Sequence, residues 1–136
     1  MILEHVALWT NNLEQLKDFY IKYFGAVPNQ KYYNPAKEFE SYFLSFKSGA
    51  RLEIMKMKNI PENRNDTIHQ QHQGLIHLAF GVETMEEVDA KAKELAAVGL
   101  SILSGPRKTG DGYYEFETLD PDNNRIEVTA LFSEKN

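Results

Sequence analysis

The chain has 136 residues, no cysteine and a formal net charge of −5. That length suits one domain, able to bury roughly two-thirds of its surface without a disulfide or structural metal. Lacking thiols, the chain has no cysteine nucleophile and no cysteine-ligated metal, and it fits a reducing, cytoplasmic setting. The acidic balance, with no basic stripe, argues against nucleic acid as a partner. No run approaches the ~18 apolar residues of a membrane span, and Glu4 and His5 interrupt the start too early for a signal peptide.

Residues 2–10, I-L-E-H-V-A-L-W-T, have strand composition. Asn11 and Asn12 offer an N-cap, with Gln15 at the capping-box position. Leu13, Leu16, Phe19, Tyr20 and Tyr23 follow at helical spacing, and Gly25 is placed to stop the helix. The helix aromatics read as core or interface positions. Strands are expected at about 28–33, at 41–46 and at 51–57, with Ser48 and Gly49 turning between the last two. Residues 58–74 are polar and aperiodic and read as a linker, in which His69 and His72 are expected to face solvent. The order then begins again. A strand at 75–82 precedes a helix capped by Thr84, with Glu87 at the capping-box position and Gly99 as the stop. Strands are expected at 100–103, 113–119 and 125–131, and D-P-D-N-N at 120–124 has the chemistry of a tight turn.

The pattern is βαβββ twice. His5 and His77 stand 72 residues apart, while Gly25 and Gly99, and Glu53 and Glu127, stand 74 apart, so a single two-residue indel reconciles all three. A duplicated supersecondary unit explains that agreement. Module 1 spans about 1–57 and module 2 about 75–132 of one domain.

In R-L-E-I-M and R-I-E-V-T the apolar residues point to one face and Glu53 or Glu127 to the other. His5 and His77 occupy the first strands of the two modules. If the sheets curl toward each other, the four side chains converge, and the two carboxylates need positive compensation. A divalent cation supplies it, because two imidazoles and two carboxylates suit Zn²⁺, Ni²⁺, Co²⁺, Mn²⁺ or Fe²⁺. If the far face is open to water, the same residues are ordinary solvated side chains.

These features together resemble the vicinal oxygen chelate superfamily, the glyoxalase and bleomycin-resistance fold. The carrying motifs are E-H-V-A-L at the start, D-F-Y-x-x-Y-F-G at 18–25, R-L-E-I at 51–54, G-L-I-H-L-A-F-G-V at 74–82 and D-P-D-x-N-R-I-E-V at 120–128. The resemblance implies an α+β fold of two tandem βαβββ modules forming a cupped mixed sheet, commonly within a homodimer. It also implies one divalent metal ion held by His5, Glu53, His77 and Glu127, a ligand set closest to glyoxalase I-like proteins. Extradiol dioxygenases and fosfomycin-resistance enzymes of this family have no carboxylate at the place of Glu53, and bleomycin-binding members lack the set.

The reaction implied is proton transfer next to a carbonyl of a small 2-oxo or hemithioacetal substrate, a carbon–sulfur lyase chemistry. Glu127 is the expected base, with Glu53 the other glutamate able to serve. Trp9 stands where glyoxalase I proteins place an arginine that holds glutathione, so the thiol is left open. Arg107 and Lys108 are candidate contacts for an anionic substrate group. The competing readings are a metal-free, resistance-type small-molecule binding protein and an iron-dependent extradiol-type dioxygenase.

Overall fold

The computed structural model describes residues 1–64 and 67–132. It divides into two compact units, residues 1–64 and 65–136. The first contains β1 (His5–Trp9), α1 (Leu13–Phe24), β2 (Val27–Pro28), β3 (Tyr32–Asn34), β4 (Phe39–Ser45) and β5 (Arg51–Met57). The second contains β6 (His77–Gly81), α2 (Met85–Ala97), β7 (Ser104–Lys108), β8 (Tyr113–Leu119) and β9 (Arg125–Leu131).

Each unit has its own mixed sheet. In the first the order is β1-β5-β4-β2, with β3 also pairing β4. In the second it is β6-β9-β8-β7. The outer pair is parallel in both, and the registers are equivalent: His5 lies beside Arg51 and Ala7 beside Glu53, as His77 lies beside Arg125 and Ala79 beside Glu127. The repeated sequence therefore makes a repeated βα unit closed by an antiparallel hairpin, an α+β fold.

Strand alternation sorts each sheet into two faces. Leu52 and Ile54 in β5, and Ile126, Val128 and Ala130 in β9, are buried. Leu13, Leu16, Phe19 and Tyr20 of α1 are buried in the first unit, and Val88, Ala92 and Leu95 of α2 in the second. Each helix thus covers one face of its own sheet, and Glu53 and Glu127 are left on the other.

Both helices are capped as their sequences require. The Asn12 side chain accepts from the Gln15 backbone N–H, and Gly25 takes a left-handed conformation at φ 65° that closes α1. At α2 the Thr84 hydroxyl accepts from Glu87 N–H, while the Glu87 carboxylate accepts from Thr84 N–H. Two otherwise unmet donors are satisfied reciprocally. Thr84→Ala is expected to cost about 1 kcal/mol of stability, read by urea denaturation.

Four strand positions differ from expectation. The stretch expected at 28–33 is two short strands, β2 and β3, because both pair with β4 on either side of an interruption. The first strands are shorter, starting at His5 and His77. The strand expected at 100–103 lies instead at Ser104–Lys108. Residues 101–103 still tie to β8, with Thr118 donating to Ser101 carbonyl and Leu103 N–H donating to Glu117 carbonyl. The strand itself accommodates Pro106 because β7 is an edge strand with a register shift between Ser104 and Arg107. Gly105 is required there: a Cβ would come within 2.4 Å of the Glu115 carbonyl oxygen, and φ is 78°.

Candidate metal and proton-transfer site

In the first unit, His5, Ala7 and Trp9 share a face with Arg51, Glu53 and Met55, and with Phe39, Ser41 and Phe43 of β4. His5 Nε2 lies 3.7 Å from Glu53 Oε2. Its Nδ1 is hydrogen-bonded to Glu4 Oε2, whose other oxygen accepts from Arg51 Nε at 2.6 Å. The bond to His5 holds the Glu4 carboxyl below its ordinary value, and Arg51 acts in the same direction. The His5 ring meets Phe43 edge-on at 5.3 Å, and the Arg51 guanidinium lies over the same ring at 4.1 Å.

The second unit presents the matching face with a different lining. His77 Nε2 lies 3.6 Å from Glu127 Oε2, and His77 Nδ1 lies 4.0 Å from Glu117 Oε1. One donor atom from each of His77, Glu117 and Glu127 falls within 4.8 Å of the others. Glu117 Oε2 accepts from Arg125 Nη1 and Ser104 Oγ, each at 3.1 Å. Arg125 is itself buried and donates to the Thr67 and Ile68 carbonyls. Burial pushes the Glu127 carboxyl above its ordinary range; Glu115 adds to the rise, while His77 opposes it. The turn before β9 fixes where this strand starts: buried Asp120 accepts from the backbone N–H groups of Asp122 and Asn124, both at 2.9 Å.

The fold and these pairs can be set beside known proteins. The model of the Glyoxalase/Bleomycin resistance protein/Dioxygenase superfamily matches residues 2–128. The chain belongs to that superfamily. It is 28% identical over 134 residues to the Bacillus subtilis (strain 168) protein YqjT, covering 94% of this chain and 98% of that one. A glyoxalase family protein from Enterococcus faecalis superposes with a TM-score of 0.71 at 28% identity, covering 93% of this chain and 94% of that one. The trypanothione-dependent glyoxalase I of Leishmania major gives a TM-score of 0.75 at 19% identity, with 96% and 86% covered, a likeness of fold.

Within this superfamily fold the residues singled out in the sequence are distributed as follows. Each module brings its histidine to its own glutamate: His5 to Glu53, and His77 to Glu127. Trp9 shares the His5 face, stands 42% exposed and meets Phe39 edge-on at 6.1 Å. Arg107 Nη2 lies 3.7 Å from Glu115 Oε1, whereas Lys108 Nζ sits 3.7 Å over the Phe132 ring. Of the linker histidines, His69 is exposed, but His72 is half-buried and its Nε2 is enclosed. Glu117 and Glu115 were not picked out by sequence reasoning. Their signal was present in Y-Y-E-F-E-T-L, where alternation puts both on one face, opposite buried Phe116.

Proposed function

We propose that this chain is a divalent-metal-dependent, glyoxalase I-like lyase that moves a proton next to a carbonyl of a small 2-oxo or hemithioacetal substrate. The observation that carries the reading is the repeated pair: in each module an imidazole Nε2 lies under 4 Å from a strand carboxylate. The donor set suits such an ion. Two imidazoles and two carboxylates are the N/O mix borne by Zn²⁺, Ni²⁺ or Co²⁺, and in each module the imidazole Nε2 faces a carboxylate oxygen, at 3.7 Å for His5–Glu53 and 3.6 Å for His77–Glu127. His5, Glu53, His77 and Glu127 are the residues that would hold it. When bound, the metal supplies Lewis-acid polarisation of the substrate carbonyl.

The chain's own groups do the rest. Glu127 is the base: its carboxylate, on the open face of β9 and 3.6 Å from His77 Nε2, takes the carbon-bound proton and returns it to the neighbouring carbon. Trp9 and Phe39 offer an apolar edge to the substrate's non-reacting part. Arg107, 3.7 Å from Glu115, is the candidate contact for an anionic substrate group, for which Glu115 competes. In keeping with the family, the protein acts as a homodimer.

A second reading has its own observation. Beside the His5–Glu53 pair, Trp9, Phe39 and Tyr32 form a chain of edge-on and tilted ring contacts, with Trp9 and Tyr32 about half exposed. Such a surface suits a resistance-type protein that binds an apolar small molecule without turning it over.

One assay separates the two. Metal-stripped protein is reloaded with Ni²⁺ or Zn²⁺ and given methylglyoxal with glutathione and with other small thiols. The lyase reading expects thiol-dependent turnover that a chelator removes and added metal restores. Absence of turnover with every thiol and both metals would overturn it; oxygen uptake with a catechol in the Fe²⁺-loaded protein would move the assignment to a dioxygenase.

A further inference from the structure

We propose that Glu4 and Glu117 are positioning residues, one per module, that turn Nδ1–H of His5 and His77 toward themselves and so present each Nε2 to a metal. The inference rests on the metal reading above.

The two modules reach the same arrangement by different residues. In the first, the carboxylate on the Nδ1 side of the imidazole is Glu4, next to His5 in sequence. In the second, the residue before His77 is Ile76, which has no such group. There the carboxylate comes from β8: Glu117, 4.0 Å from His77 Nδ1. The first module has Phe43 at the place of Glu117, since Phe43 pairs with Glu53 as Glu117 pairs with Glu127. The acid comes from the residue before β1 in one module and from β8 in the other, yet keeps its side of the ring.

What holds it is the same in both. Arg51 and Arg125 occupy equivalent positions 74 residues apart, each beside its histidine across the parallel pair. Arg51 donates to Glu4 and Arg125 to Glu117. Each module thus contains the series strand glutamate, Nε2–imidazole–Nδ1, second carboxylate, arginine. A neutral imidazole donating from Nδ1 keeps the Nε2 lone pair for a metal, and a carboxylate behind a ligating histidine fixes both tautomer and ring orientation. His77 Nδ1 has no hydrogen-bond partner, and closing the gap to Glu117 by about 1 Å reaches bonding distance. Glu117 cannot easily swing away, because Arg125 and Ser104 share its second oxygen.

The test uses the full chain, with Glu4→Ala, Glu117→Ala and the conservative Glu117→Gln. Ni²⁺ affinity is measured by chelator competition, the tautomers of His5 and His77 by ¹⁵N NMR of the metal-free protein, and folding by thermal unfolding without metal. Each alanine variant is expected to bind Ni²⁺ roughly 10–100-fold more weakly and to lose the Nδ1–H tautomer at its own histidine only. Glu117→Gln, which retains an acceptor oxygen, should recover the tautomer and part of the affinity. Weaker binding with an unchanged tautomer would make Glu117 a direct ligand and overturn the inference. Unchanged affinity in both alanine variants would overturn it too, leaving the lyase reading intact. A wild-type protein that takes up no Ni²⁺, Zn²⁺ or Co²⁺ would overturn that reading and the inference with it.

Discussion

Replacing Glu127 by glutamine is expected to lower kcat by about 10²- to 10⁴-fold, the usual contribution of a positioned general base. Glutamine preserves the size of the side chain and its contact with β8, so the change removes the proton-accepting oxygen rather than the strand. The residue is placed for the role on the open face of β9, 3.6 Å from His77 Nε2. Because Glu127 is also a proposed ligand, the comparison must be made at saturating metal, where a loss in kcat reads chemistry rather than occupancy. Glu53→Gln is the control. Glu53 faces His5 Nε2 at 3.7 Å, and its loss should appear mainly as weaker metal binding. A collapse of kcat in Glu53→Gln with near-normal turnover in Glu127→Gln would exchange the two roles.

Phe116→Ala should be the most damaging core substitution in the second unit, costing about 3–5 kcal/mol. The side chain is fully buried on β8, opposite Val128 and on the face that α2 covers. Its removal deletes a large apolar contact and leaves a cavity that a strand flanked by β7 and β9 cannot easily collapse. Set against the ~5–15 kcal/mol by which domains of this kind are stable, that loss brings the unit close to unfolding. Urea denaturation of the full chain measures it. Phe43→Ala, at the equivalent sheet's open face beside His5, is half-buried and should cost distinctly less. A cost under about 1 kcal/mol for Phe116→Ala would contradict the assigned core.

The contrast between Phe116 and its neighbours shows what was legible in the sequence. Alternation in R-L-E-I-M and R-I-E-V-T separates core from open face without further information, and the buried Leu52, Ile54, Ile126 and Val128 follow it. Helix ends were equally legible, since Asn12, Gly25, Thr84 and Glu87 act through local hydrogen bonds. β7 was not, because Gly105 and Pro106 carry turn chemistry, and only pairing with β8 along an edge makes a strand of them. Glu117 was missed for a related reason. Its face could be read from alternation, but its nearness to His77 depends on β8, β9 and β6 lying side by side, a long-range register that one sequence does not display. Glu4 is the opposite case: it adjoins His5 in sequence, yet its role emerges only beside Arg51.

The central claim is that the repeated histidine–glutamate pairs hold a metal, and metal uptake tests it most directly. Metal-free protein titrated with Ni²⁺ and followed by calorimetry should bind stoichiometrically, and the binding should be lost or greatly weakened in both His77→Ala and Glu53→Gln, each of which should still fold. Wild-type protein that remains folded and takes up no divalent metal, or binding that both substitutions leave unchanged, would contradict the account.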